Sequence, residues 1–152
     1  MSNHLIDILD LSVSDIDGLI DVASDIIEHP EAYRESCRYK KLATLFFEPS
    51  TRTRLSFEAA MLELGGSVLG FSEATSSSAS KGESVLDTTL IVSGYADVIA
   101  MRHPKEGAPT VAASKTPVPI IPVFLPGESQ RRGSLVGCRL WGRTESDTTE
   151  AT

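Results

Sequence analysis

The chain has 152 residues, enough for one domain with a real core, and its 41% hydrophobic and 23% charged residues exclude a fibrous or wholly disordered chain. A formal charge of −7 excludes a general polyanion binder, because nonspecific nucleic-acid affinity is built from many Lys/Arg contacts to phosphates, whereas a small anion needs only a local cluster. No apolar run approaches about 18 residues and no basic stretch leads into an apolar one at the start, so neither a membrane span nor a secretory signal is expected and the expected address is the cytoplasm.

After a short lead-in over residues 1–13, Ser14-Asp15-Ile16-Asp17 reads as a capped helix start. Ile16, Leu19, Ile20, Ala23, Ile26 and Ile27 follow at helical spacing, which predicts one buried face, and His29-Pro30 ends the helix. Residues 31–39 form a polar connection. Leu42-Ala43-Thr44-Leu45-Phe46-Phe47 is a continuous apolar run of strand length, the pattern of a strand covered on both faces.

That strand runs into Glu48-Pro49-Ser50-Thr51-Arg52-Thr53-Arg54-Leu55-Ser56-Phe57-Glu58, where the chain turns and a helix opens with hydroxyls and guanidiniums. The first turn of a helix has unpaired N–H groups and the positive end of the macrodipole. Two arginines there are each unfavourable by a few tenths to about 1 kcal/mol unless an anion joins them. The spacing fits either an anion site of phosphate type or an ordinary Ser/Thr cap whose arginines face solvent. Phe57, Ala60, Met61 and Leu64 give the helix an inward stripe, and Gly65-Gly66 supplies its stop.

A second strand over 67–71 opens into residues 72–80, a serine-rich stretch read as a surface loop or a flexible linker. Lys81-Gly82-Glu83-Ser84 ends it, and Val85, Leu86, Thr89, Leu90 and Ser93 trace a helix closed by Gly94. A third strand over 96–101 delivers Arg102-His103-Pro104 to its carboxyl end, the edge where α/β sheets bind ligands. A short helix fits 109–115 and a fourth strand fits 117–121, its prolines confined to the start. This alternation predicts an α/β fold with a parallel sheet and right-handed crossovers. Cys37 and Cys138 lie far apart without metal-ligand or disulfide spacing, so both are read as incidental thiols.

The run Phe47-Glu48-Pro49-Ser50-Thr51-Arg52-Thr53-Arg54-Leu55-Ser56-Phe57-Glu58 closely resembles the carbamoyl-phosphate signature of the aspartate and ornithine carbamoyltransferases. Residues 77–83, ending in Lys81-Gly82-Glu83, look like the mobile loop of the aspartate enzymes, and Met101-Arg102-His103-Pro104 looks like their arginine strand end. The resemblance implies that Ser50, Thr51, Arg52 and Thr53 bind the phosphate of carbamoyl phosphate and that Arg102 holds phosphate and carbonyl oxygens. It implies that Ser77 and Lys81 reach into a neighbouring subunit's site, so that the partners are carbamoyl phosphate, L-aspartate in the complete enzyme, and two further copies in a homotrimer. It further implies transfer of the carbamoyl group to the amine of aspartate, a step of pyrimidine biosynthesis. Thr53 and Arg102 would polarise the carbonyl, Arg52 and Lys81 would stabilise the leaving phosphate, and neither a metal nor another cofactor would be required.

The resemblance covers residues 1–121 and then stops. The family would continue into a glycine-rich loop, a His-Pro-x-x-Gln motif and an aspartate-binding domain, and none of these follows. The expected organisation is therefore a partial carbamoyl-phosphate-binding domain over 1–122 and an unrelated, weakly ordered tail over 123–152, in which Trp141 is a stray apolar residue. A junction from a frameshift, a fusion or translated noncoding sequence would explain the switch, and a long sequencing read across codons 121–127 tests it. Two functions are expected to compete: a catalytically incomplete aspartate carbamoyltransferase chain, and a noncatalytic subunit that binds phosphate anions or assembles with full-length copies.

Overall fold

The computed structural model describes residues 4–72, 84–105 and 107–123. Two helices lead, α1 (Val13–Glu28) and α2 (Pro30–Tyr33), followed by β1 (Lys41–Phe46), α3 (Thr51–Glu63) and β2 (Ser67–Ser72). Next come α4 (Val85–Ser93), β3 (Val98–Arg102), α5 (Ala108–Ala113) and β4 (Ile120–Pro122). The strands form one parallel sheet in the order β2-β1-β3-β4, so the expected α/β architecture is borne out. Among the described residues no helix is long and apolar enough to cross a membrane.

The continuous apolar run of β1 has the cause expected for a central strand: both of its faces are covered. Ala43, Leu45 and Phe47 point to one side, where Ile99, Met101 and Ile120 join them and Val85, Val92 and Ala112 bring α4 and α5 onto the sheet. Leu42 and Phe46 point to the other side, against Met61 and Phe57 of α3. Leu45 and Phe46 are wholly buried, and each such side chain contributes about 1.5–3 kcal/mol by leaving water. Of the stripe expected on α3, Met61 is buried and Phe57 and Leu64 are half-buried, but Ala60 is exposed, because the helix meets the sheet on a narrower arc than the spacing suggests.

Helix boundaries follow local chemistry. Ser12 caps α1 through a reciprocal box with Asp15, two residues ahead of the Ser14 start expected from sequence. Both serines have an aspartate three residues on, and the first pair takes the cap. An equivalent box joins Ser84 and Asp87 at the start of α4. Gly65, with φ +82, ends α3, and a Cβ there would lie 2.1 Å from the carbonyl oxygen of Arg34. The strand ends move by one or two residues, and β4 shortens to three, since Pro117 and Pro119 cannot donate to the ladder.

One expectation fails. The apolar stripe of α1 is not buried: the helix has no buried residue, and Leu19, Ile20 and Ile27 are 56%, 44% and 79% exposed. The physical reason is that the helix leans chiefly on α2 rather than on the sheet, so that of this stripe only Ile16 and Ile26 reach half-burial. The fastening to α2 is polar: Asp25 accepts from the Tyr33 hydroxyl and sits 2.9 Å from His29 Nδ1. The lead-in is also more ordered than a plain connection, with a 3-10 turn at Ile8–Asp10 and a bond from Leu5 N–H to the carbonyl of Ile120.

Candidate functional site

The strand order fixes where a ligand can enter. From β1 the chain crosses to β2 on one side and then returns to place β3 on the other, so the carboxyl ends of β1 and β3 flank the point where the winding reverses. Helices leave that point in opposite directions and open a crevice. Phe46 and Arg102, the last residues of the two strands, are paired in register, and Phe47 N–H donates to the carbonyl of Arg102 at 2.9 Å. Glu48 and His103 follow on the two sides of the crevice.

Helix α3 starts at this edge. Ser50 occupies the cap position but makes no side-chain cap bond. Its hydroxyl donates instead to Thr53 Oγ1 at 3.0 Å. The first backbone donor within the turn is Arg54 N–H, to the carbonyl of Ser50, so the N–H groups of Thr51, Arg52 and Thr53 come before the helical ladder begins. Thr51 and Arg52 are exposed and Thr53 is half-buried. An ordinary Ser cap would have occupied one of those donors; here, among the described residues, none of the three has an acceptor.

The arginines separate into three situations. Arg52 stands exposed at the helix start. Arg54 turns along the helix flank to Glu58, with Nε 3.6 Å from Glu58 Oε1. Arg102 is buried, 6% exposed, with Nε 3.6 Å from Glu48 Oε2. The Nε atoms of Arg54 and Arg102 and the Oε2 atom of Glu48 are sealed from solvent without a hydrogen-bond partner among the described residues. Buried guanidinium nitrogens without partners are uncommon and mark a place where an acceptor is wanted.

His103 packs its ring 5.0 Å from that of Phe47, and Phe47 meets Phe71 edge-on at 5.1 Å. Lys105 N–H donates to His103 Nδ1 at 2.9 Å, which leaves the ring proton on Nε2 in the neutral form. Burial pushes the His103 pKa below its ordinary value, so the ring is uncharged at neutral pH. The positive charge at the crevice is therefore carried by Arg52, Arg54 and Arg102, offset in part by Glu48 and Glu58.

Five of the seven residues singled out from sequence, Ser50, Thr51, Arg52, Thr53 and Arg102, lie at the β1 and β3 ends. Ser77 and Lys81 lie outside the described residues, as do Cys138, Trp141 and the rest of residues 124–152. The sequence reading did not assign roles to Glu48, Glu58 or Thr44. A signal existed for Glu58, since Arg54 and Glu58 stand four apart on one helix face. None existed for Thr44, a hydroxyl inside an apolar strand.

The family model for the aspartate/ornithine carbamoyltransferase carbamoyl-phosphate-binding domain matches residues 3–125. The chain belongs to this family. It is 64% identical over 118 residues to the aspartate carbamoyltransferase catalytic subunit of Lachnoclostridium phytofermentans, covering 78% of this chain and 38% of that one. Against the catalytic subunit from Clostridium novyi the identity is 63%, covering 78% and 39%. The chain thus spans well under half the length of these relatives.

Solved structures agree. The catalytic subunit of M. jannaschii aspartate transcarbamoylase superposes with a TM-score of 0.74 at 46% identity, covering 81% of this chain and 42% of that one. Trypanosoma cruzi aspartate transcarbamoylase in complex with carbamoyl phosphate gives 0.73 at 36%, covering 80% and 40%. Ornithine transcarbamoylase from Giardia lamblia gives 0.69 at 29%, covering 82% and 38%. The carbamoyltransferase fold is common to all three, and the sequence similarity is greater to these two aspartate enzymes than to this ornithine enzyme.

Proposed function

We propose that the crevice between the β1 and β3 ends binds carbamoyl phosphate as the first half of a site that transfers its carbamoyl group to the amine of L-aspartate. The observation that carries this reading is the buried Arg102, its Nε without a hydrogen-bond partner among the described residues, at the end of β3 beside the end of β1, from which the chain runs into the uncapped first turn of α3. In that arrangement the N–H groups of Thr51, Arg52 and Thr53 and the hydroxyls of Ser50 and Thr53 take phosphate oxygens, with Arg52 closing from the solvent side. Arg102 reaches the phosphate and the carbonyl oxygen.

The chemistry asked of these residues is electrostatic. The aspartate nitrogen attacks the carbonyl carbon and loses a proton as the new N–C bond forms. The bond from that carbon to the bridging oxygen breaks, and phosphate leaves. Charge grows first on the carbonyl oxygen, beside Thr53 and Arg102, and then on the phosphate, beside Arg52. Fixed donors that need not reorganise lower both barriers. Ser77 and Lys81 would complete the phosphate pocket of a neighbouring copy in a cytoplasmic homotrimer serving pyrimidine biosynthesis, a reading supported by their place in the family motif. Residues 1–122 would form the phosphate-binding domain; residues 124–152, nearly all of the tail expected from sequence, lie outside the described residues. The 152-residue chain by itself would bind the phosphate without turning aspartate over, a reading supported by a match that covers 38% of the Lachnoclostridium relative and by a family model that describes carbamoyl-phosphate binding alone.

Calorimetric titration with carbamoyl phosphate tests the site. Saturable heat in the wild type, lost in Arg102→Ala and reduced in Arg52→Ala, is the expected result; equal heats in all three would return the helix start to a plain capped turn. Carbamoylaspartate formed by the purified chain would sink the claim that it does not turn over.

A further inference from the structure

Glu58 makes contacts that anion binding does not require. It lies two turns into α3, only 20% exposed at the side chain, and its Oε1 accepts a hydrogen bond from Thr44 Oγ1 at 2.9 Å. Thr44 is wholly buried in the middle of β1, the strand that pairs with both β2 and β3. Its register partner in β2 is Gly70, where φ is +146 and a Cβ would lie 2.2 Å from the Thr44 carbonyl oxygen and 2.6 Å from Thr44 Oγ1. The sheet thus omits a side chain at a position where it would crowd the Thr44 hydroxyl.

The bond crosses an interface that is otherwise apolar, built from Leu42, Phe46, Phe57 and Met61. Dispersion contacts between a helix and a sheet leave the helix some freedom to slide along its axis, whereas a directional bond sets its height. Thr51 lies seven residues before Glu58, about 10 Å at the α-helical rise, so the height set at Glu58 is transmitted rigidly to the first turn. The same carboxylate stands 3.6 Å from Arg54 Nε, which draws that guanidinium along the helix flank and leaves Arg52 as the exposed cation.

We propose that Glu58 is a positioning residue for the anion site: through Thr44 it fixes the height of the α3 first turn against Arg102, and through Arg54 it keeps that cation on the flank. The proposal rests on the carbamoyl-phosphate reading given above. Glu58 touches no ligand. Its effect is on where the donors of Thr51, Arg52 and Thr53 stand, and a displacement of under an ångström in such donors is felt in affinity.

The test uses the full chain and carbamoyl phosphate, titrated by calorimetry at a temperature where circular dichroism shows every variant folded. Glu58→Ala and Thr44→Val should each weaken binding about 5- to 20-fold, and the double variant should be no weaker than Glu58→Ala, since Thr44→Val removes only a bond that Glu58→Ala has already removed. Glu58→Gln keeps an oxygen for the Thr44 hydroxyl but loses the charge that draws Arg54, so it should bind between wild type and Glu58→Ala, whereas Thr44→Ser keeps the hydroxyl and should bind within about twofold of wild type. In the ligand-free state the amide resonances of Thr51, Arg52 and Thr53 should shift in Thr44→Val and return in Thr44→Ser, a readout that lost stability alone does not move. If Glu58→Ala does not fold, the Thr44→Val and Thr44→Ser pair decides. Equal affinities in that pair, with wild type binding and Arg102→Ala not, overturn the positioning role and leave the anion site standing. No heat in the wild type overturns the site reading and this one with it.

Discussion

Arg102 Nε lies 3.6 Å from Glu48 Oε2, and neither atom forms a hydrogen bond among the described residues although both are sealed from solvent. At that separation two unit charges attract by about 5 kcal/mol at an effective dielectric constant near 20. Burying each ion costs several kcal/mol after relaxation, so a pair without a hydrogen bond sits close to break-even. Such a contact holds the guanidinium in place yet yields to a better acceptor. It joins the carboxyl ends of β1 and β3, the two sides of the crevice.

The first prediction follows from that balance. Arg102→Ala should weaken carbamoyl phosphate or inorganic phosphate binding by more than about tenfold, and Arg102→Lys should recover only part of it, because an ammonium lacks the planar fork that matches phosphate oxygens. Glu48→Gln removes a competing carboxylate whose side chain is 30% exposed, and solvent screening limits the gain to a roughly two- to fivefold tighter phosphate Kd. Calorimetry on the three variants checks it; tighter binding in Arg102→Ala would refute the assignment.

A second prediction concerns backbone space. Gly65 at φ +82 and Gly70 at φ +146 both face backbone oxygens, Arg34 O at 2.1 Å and Thr44 O at 2.2 Å from a built Cβ. Neither oxygen can move without shifting its chain. Gly65→Ala and Gly70→Ala should each cost about 2 kcal/mol or more, measured as a lower urea midpoint at unchanged slope. Gly18, with nothing within 4 Å of a built Cβ and a helical position in α1, should instead tolerate alanine with a gain of about 0.5–1 kcal/mol.

Much of this was legible in the residues, for reasons that differ by place. β1 could be read because Leu42 to Phe47 is apolar at every position but Thr44 and of strand length, the pattern of a strand covered on both faces. The stop at Gly65 could be read because glycine reaches the left-handed conformation that ends a helix, whereas Gly94 closes α4 at φ −75 without using that freedom. The burial of α1 could not, since spacing reports which residues share a face and not whether a neighbour covers it: Leu19 and Ile20 share a face that stays open. Nor could the division of labour between Arg52 and Arg54, which depends on the side-chain direction that Glu58 imposes. The anion site was legible as a composition of donors, while the buried Arg102 Nε, without a hydrogen-bond partner among the described residues, needed coordinates.

The third prediction is a pH dependence with two limbs. His103 has a folded-state pKa below its ordinary 6.5, chiefly through burial. The unfolded chain then binds more protons than the native one, so stability rises with pH through this region and is lost as pH falls below about 6.5. Asp97 is lowered by its bond from Lys40 and then by the Lys41 N–H, so the stability it supplies is present above the ordinary carboxylate range and is lost as pH falls through its folded pKa. Urea midpoints across pH 7 to 3 should fall in two stages. His103→Gln should flatten the upper stage and Asp97→Asn the lower; an unchanged upper slope in His103→Gln would mean that the ring titrates as it does in the unfolded chain.

The fourth prediction separates a filled interior from an open face using one residue type. Leu45 is wholly buried among Ala43, Phe47, Ile99 and Met101 on the α4 and α5 side of the sheet. Leu19 is 56% exposed on α1. Leu45→Ala removes transfer energy and leaves a cavity that β1, held by ladders on both edges, cannot close, so it should cost about 2–5 kcal/mol. Leu19→Ala removes little that the fold has taken from water and raises helix propensity slightly, so it should change stability by no more than about 0.5 kcal/mol. Urea denaturation of the two variants is the check. A cost near 2 kcal/mol for Leu19→Ala would show that the α1 stripe is covered in solution.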